Sequence, residues 1–192
     1  PYTDMIIRQT DDIRRIVDDF SKFARMPEPE KRKIDLLGLI NDIVLLQQSA
    51  MPDKEIYFKK NKELVLGFFD LTMMGQVFTN LIKNAGEAID MFIEANDIKD
   101  SSFKGKIIIR IEKLDNTFRI SIKDNGIGLP ENHINLFEPY VTTRKGGTGL
   151  GLSIVKNIIE QHGGTIALQK SESTNDPINA GTEVVVILPH LV

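Results

Sequence analysis

The chain has 192 residues, 41% hydrophobic and 27% charged, enough for one full domain and an appendage without a metal or disulfide to hold it. It has no cysteine, which excludes disulfides, thiolate zinc sites and thiol catalysis and fits a reducing compartment; three scattered histidines argue against a structural metal site. Net charge is -3, with 24 basic residues interleaved among 27 acidic ones rather than gathered in blocks, which argues against a nucleic-acid footprint, and no apolar run approaches the roughly 18 residues of a membrane span.

The first residue is Pro1 rather than methionine and no signal-peptide pattern follows, so the expectation is a fragment of a longer protein. From Met5 to Ala24, Ile6, Ile13 and Phe20 recur every seven residues, with Ile16, Val17, Phe23 and Ala24 filling the seam between them. That spacing predicts an amphipathic helix of coiled-coil type. Two placements stay open for it: docked on its own domain, or half of a helical hairpin that dimerises. In "ARMPEPEKRK", two prolines among charges read as a linker.

Residues 35–48 carry apolar side chains at helical spacing, and short extended pieces follow near Ile56 to Phe58 and Leu64 to Leu66. Asp70 can cap the next helix, in which Leu71, Met74, Val77, Phe78, Leu81 and Ile82 recur at spacings of three and four. After a polar loop, "KIIIRIEKL" and "TFRISIKD" read as two strands of a hairpin turning at Asp115 and Asn116. A helix over 152–161 stops at Gly163 and Gly164, and strands "TIALQK" and "TEVVVILP" flank the polar loop "SESTNDPINA". Helices on one side of a mixed, mainly antiparallel sheet predict an α+β fold, a two-layer α/β sandwich preceded by one long amphipathic helix.

Asn80, Asn84 and Glu87 stand four and three apart, on one face of the core helix opposite its apolar stripe. An asparagine oxygen is a neutral, hard ligand suited to Mg2+, which takes other ligands from water and phosphates, and Lys83 beside it can reach a phosphate. In "DNGIGLP", Gly126 and Gly128 let the backbone approach a flat ring, while Asp124 offers an acceptor that an adenine amine would fit and a guanine carbonyl would not. A plain Asn-Gly turn explains the same letters. "GGTGLG" is neither a Walker loop nor a dinucleotide fingerprint. Gly147, Gly149 and Gly151 nevertheless lead straight into a helix, where free N–H groups and the helix dipole favour an anion. The segment before it, with Arg144 and Lys145, reads as a lid carrying cations toward terminal phosphates.

In this order the motifs resemble the catalytic, ATP-binding domain of sensor histidine kinases, in the superfamily shared by gyrase, Hsp90 and MutL. "NLIKNAGEA" resembles the N box, "DNGIG" the G1 box, "LFEPY" with Phe137 the F box and "GTGLGL" the G2 box. "IIRQTDDIRRIVDDFSKFARMPEP" resembles the second dimerisation helix of the NtrY branch of nitrogen-regulation sensor kinases, and "PYVTTR" its lid. The resemblance implies a Bergerat-type fold over 35–192, a linker over 27–34 and, over 1–26, the second helix of a phosphotransfer hairpin. It also implies bound ATP with Mg2+ on Asn84 aided by Asn80, Asp124 reading adenine with Thr182 nearby through water, and Gly147, Thr148, Gly149, Leu150 and Gly151 over the phosphates.

One position separates chemistries within the superfamily. ATP-hydrolysing relatives place a glutamate base four residues before the magnesium asparagine, where this chain has Asn80, which cannot take a proton from water. Phosphoryl transfer to another group is therefore expected, through positioning and charge neutralisation. The family's acceptor is a histidine followed by an acid, whereas His133 precedes Ile134, His162 precedes Gly163 and His190 precedes Leu191. His162 at a helix end reads as a partner for the helix dipole. The acceptor thus falls outside this chain, in a full-length homodimer that relays to a response regulator. The fragment would be the cytoplasmic part of a membrane-bound kinase. An ATP-gated clamp and a noncatalytic dimerisation module are the competing readings.

Overall fold

The computed structural model describes residues 27–59, 65–98, 103–130, 135–142, 147–171 and 181–190 throughout, with positions 3, 5–7, 10, 13, 14 and 17 of the N-terminal segment. Those N-terminal positions are helical, and the Thr10 hydroxyl donates to the Ile6 carbonyl at 2.9 Å. Met5, Ile6, Ile7, Ile13 and Val17 are each more than half exposed. The seam positions Ile16, Phe20, Phe23 and Ala24 lie outside the described residues.

Strand β1 (Arg32–Asp35) runs antiparallel to β3 (Leu66–Phe69). Asp35 ends β1 and caps helix α1 (Leu36–Ala50), its carboxylate accepting the Leu37 N–H at 3.0 Å. The sequence led us to expect a linker through residue 34 and an extended piece at 64–66, whereas residues 32–35 and 66–69 pair with each other. Each strand has only four residues, too few for an alternating pattern, so the distant partner decides the conformation.

A five-stranded sheet has the order β2-β4-β5-β7-β6. Its members are β2 (Lys54–Lys59), β4 (Gly105–Lys113), β5 (Thr117–Asp124), β6 (Thr165–Lys170) and β7 (Thr182–Pro189). Only β2 and β4 are parallel, and a parallel pair needs a long crossover. Helix α2 (Leu71–Ala95) supplies it. Asp70 begins α2 as the sequence suggests, its carboxylate accepting the Met73 N–H at 3.0 Å.

The sheet's alternation sorts its side chains. Ile107, Ile109 and Ile111 of β4, Phe118, Ile120 and Ile122 of β5, and Val184, Val186 and Leu188 of β7 are all buried. They meet the apolar stripe of α2, with Met74, Val77, Phe78, Leu81, Ile82 and Ile89, and that of α3 (Gly151–Gln161), with Ile154, Val155 and Ile158. Helices cover one face, giving the expected two-layer α+β sandwich. Beneath α2, Lys54 is buried between Asp53 at 2.8 Å and Asp90 at 2.7 Å. Burial alone would lower its pKa, but the two carboxylates raise it, so the cation is held in place.

Ile120 has no exposed surface and lies on the strand between β4 and β7. Replacing it with alanine leaves a cavity, and Ile120→Ala should cost about 2–5 kcal/mol, read as a lower urea midpoint with an unchanged slope.

Candidate functional site

Asp124 ends β5, on the side of the strand that faces the helices, and is only 4% exposed. Its Oδ1 accepts two backbone N–H groups, from Gly126 at 2.9 Å and from Thr182 at 3.2 Å. No described residue donates to Oδ2. Burial raises the pKa from 3.8 to about 6, the two backbone donors pulling the other way. A carboxylate so placed has one oxygen spent on architecture and one available to a ligand donor.

Two close approaches build the wall around it. A Cβ on Gly126 would lie 2.6 Å from the Ala88 carbonyl oxygen, and Ile127 N–H donates to that same oxygen at 3.0 Å. The G1 loop is therefore clamped onto α2 one turn beyond Asn84. Gly128 follows with φ +78°. On the other side, a Cβ on Gly181 would collide with the Asp124 carbonyl. Gly181 was not singled out from sequence, and a lone glycine before a strand gives little reason to do so. Asn125 was read only as half of a turn. Buried, it accepts Lys106 N–H at 2.7 Å and donates to the Lys104 carbonyl at 2.9 Å, tying the loop to the start of β4.

On α2, Asn80, Asn84 and Glu87 are half-buried while Lys83 is exposed, its Nζ 3.8 Å from Glu87 Oε1. No side chain caps α3, and its first intrahelical bond runs from Ile154 N–H to the Leu150 carbonyl at 2.9 Å. The N–H groups of Gly151, Leu152 and Ser153 precede that bond, as an anion site needs. In the loop before it, Leu150 is buried and its N–H lies 3.4 Å from Thr148 Oγ1. Gly149 has φ +67° and meets the backbone of Tyr140, whose N–H donates to the Gly149 carbonyl at 3.1 Å. Phe137, from the same segment, sits 5.8 Å from the Lys156 ammonium of α3. The F-box segment is thus docked on the glycine loop. Arg144 and Lys145, with His133, lie outside the described residues, as does Gly146 ahead of Gly147.

The histidines differ from expectation in one case. His162 does donate from Nδ1 to the Ile158 carbonyl at 2.7 Å, but it is buried, and burial lowers its pKa. It acts as a neutral ring rather than as a cation for the helix dipole. The His190 ring packs edge-on to Phe118, with centroids 4.9 Å apart.

The pieces fit an adenine nucleotide: a recessed acceptor walled by glycines, and N–H groups at an uncapped helix start. Among the described residues no group of three or more His, Asp or Glu side chains converges on a point. A metal here would therefore rest on amide oxygen and on its ligand's phosphates.

The sequence profile described as "Histidine kinase-, DNA gyrase B-, and HSP90-like ATPase" matches residues 69–192. The chain belongs to this family. The chain is 42% identical over 167 residues to the nitrogen regulation protein NtrY of Azorhizobium caulinodans, covering 86% of this chain and 21% of that protein. Its structure is similar to the catalytic domain of histidine kinase ThkA in a nucleotide-free form, at 29% identity and a TM-score of 0.67, over 83% of this chain and 95% of that one. It is also similar to ThkA in complex with the response regulator protein TrrA, at 26% identity and a TM-score of 0.73, over 99% of this chain and 51% of that one. The chain spans 21–27% of the length of the first curated relatives it matches. Among the described residues no helix is long and apolar enough to cross a membrane.

The Asp124 carboxylate has a stability signature of its own. The folded state holds its proton up to about pH 6, the unfolded one only to 3.8, so folding is disfavoured by up to about 3 kcal/mol once the pH rises above 6. Asn keeps the Oδ1 acceptor without the charge. Asp124→Asn should therefore raise the urea midpoint of the nucleotide-free domain at about pH 8 and hardly at all at about pH 4.

Proposed function

We propose that this chain is the ATP-binding catalytic part of a two-component sensor histidine kinase of the NtrY branch. It transfers the ATP γ-phosphoryl group to a histidine outside this chain, for relay to a response-regulator aspartate. The observation that carries the reading is Asp124, a recessed carboxylate with Oδ1 held by Gly126 and Thr182 and Oδ2 left for a ligand amine. An adenine amine donates there; a guanine carbonyl would be repelled.

From that anchor the remaining roles follow. Thr182 stands beside the base. Gly147, Thr148, Gly149, Leu150 and Gly151, with the start of α3, line the phosphates, and Lys83, Arg144 and Lys145 supply cations. Asn84, aided by Asn80, would hold Mg2+, which when bound neutralises charge on the phosphoryl oxygens. Asn80 has no basic atom with which to take a proton from water, so the domain positions the nucleotide for an acceptor brought from elsewhere. The complex of ThkA with a response regulator supports that kind of partner. The exposed Met5, Ile6, Ile13 and Val17 support a homodimer in the full-length kinase, through residues 1–26 as the second helix of a dimerisation hairpin. We place the fragment on the cytoplasmic side of a membrane-bound sensor.

Calorimetric titration of ATP and GTP, each with Mg2+, into this chain and into Asp124→Asn tests the reading. ATP alone should bind, and the substitution should weaken it about tenfold to a hundredfold, the worth of a hydrogen bond to a charged group. Equal binding of both nucleotides would show that Asp124 does not read the base. The dimer has a separate check in light scattering: this chain should self-associate where one beginning at Arg32 remains monomeric, and two monomers would count against it.

A further inference from the structure

The residues ahead of β1 are tied down at two points. The Glu30 N–H donates to Asp70 Oδ2 at 2.9 Å, and Lys31 Nζ donates to the Gln161 carbonyl at 2.9 Å. Asp70 caps the start of α2, and Gln161 is the last residue of α3. His162 joins the two helix ends. With its proton on Nδ1 bonded to the Ile158 carbonyl, Nε2 is left to accept the Asp70 backbone N–H at 3.0 Å. The ring is 2% exposed and its centroid lies 6.0 Å from that of Phe69. Only a neutral imidazole of this tautomer makes both bonds.

We propose that Lys31, Asp70 and His162 form a latch that clasps residues 27–31 onto the end of α3, and that protonation of His162 opens it. A proton on Nε2 would face the Asp70 N–H, donor against donor, and break the link. Around the ring, the Lys31 ammonium opposes a positive charge and the Asp70 carboxylate favours one. The next charges outward are paired with each other, Glu160 with Lys156 at 3.8 Å and Glu30 with Arg32 at 3.0 Å. Burial keeps the latched ring neutral, while a ring released into water titrates near 6.5, so below that pH the open state gains up to about tenfold per pH unit.

The clasped residues join the N-terminal helical segment to the nucleotide domain, so the latch decides whether that segment is carried by the domain or swings on a free tether. It also lies on the same helix as the glycine loop. The 11 residues of α3 separate the two by roughly 16 Å.

Amide hydrogen exchange on this chain without nucleotide tests the latch independently of the proposed function. Protection at Glu30 N–H, corrected for intrinsic exchange, is followed in steps between about pH 7.5 and about pH 5.5, with Ile120 of β5 as the reference for global unfolding. In the wild type, Glu30 should lose about tenfold while staying well below the protection of Ile120, whose exchange needs global unfolding and so carries the pH dependence of the whole fold. His162→Gln, whose Oε1 still accepts the Asp70 N–H but cannot titrate, should show no such loss. Lys31→Met, an exposed change, lowers Glu30 protection at both pH values and moves its midpoint upward, because the opposing charge is gone. A flat wild-type profile, the same loss in His162→Gln, Glu30 protection equal to that of Ile120, or an unmoved midpoint in Lys31→Met would each overturn the proposal.

Discussion

The packing of α2 onto the inner face of the sheet is the contact on which everything else hangs. One side of this 25-residue helix buries Met74, Val77, Phe78, Leu81, Ile82 and Ile89 against β4 and β5. Its other features are then fixed in space by that burial. Asn80 and Asn84 are held half-buried, the Ala88 carbonyl holds the G1 loop, and the Asp70 cap receives both Glu30 and His162. A rotation of α2 about its axis would misplace all of them at once, and the isoleucines beneath it are what resist such a rotation.

Where the sequence carries a period, it shows the structure. The recurrence of apolar residues along 71–92 and the strict alternation of "TFRISIKD" each report a single buried face, so α2 and β5 were legible. Some glycines were legible where they punctuate those periods, Gly126 just after β5 and Gly151 at the start of α3, whereas Asn80 and Asn84 lie within α2. Strands β1 and β3 were not legible, since two four-residue segments far apart in the chain show no period until they meet. The same holds for His162, whose role depends on Asp70 from another helix, and for Gly181, whose lack of a side chain matters only because the Asp124 carbonyl passes beside it. Local pattern predicts faces; it does not predict who stands opposite them.

The chemistry of the site lies in placement rather than in reactive side chains. Asp124 is held ionisable but buried, α3 offers its first N–H groups without a cap, and the F-box backbone is clipped to Gly149 by Tyr140. Asn80, being an amide, cannot itself take a proton from water. In the kinase we propose, the acceptor comes from outside this domain, so the geometry between domain and acceptor would be the point at which activity is set.

The buried carboxylate has a further consequence for the life of the protein in a cell. Occupancy at about a hundred times the dissociation constant adds about 2.7 kcal/mol to the folded state, comparable to what the empty carboxylate removes. A nucleotide bound through Asp124 would therefore act as a folding partner as well as a substrate. The abundance of such a kinase would then follow the adenylate supply, with empty chains the first to be lost to proteases when that supply falls.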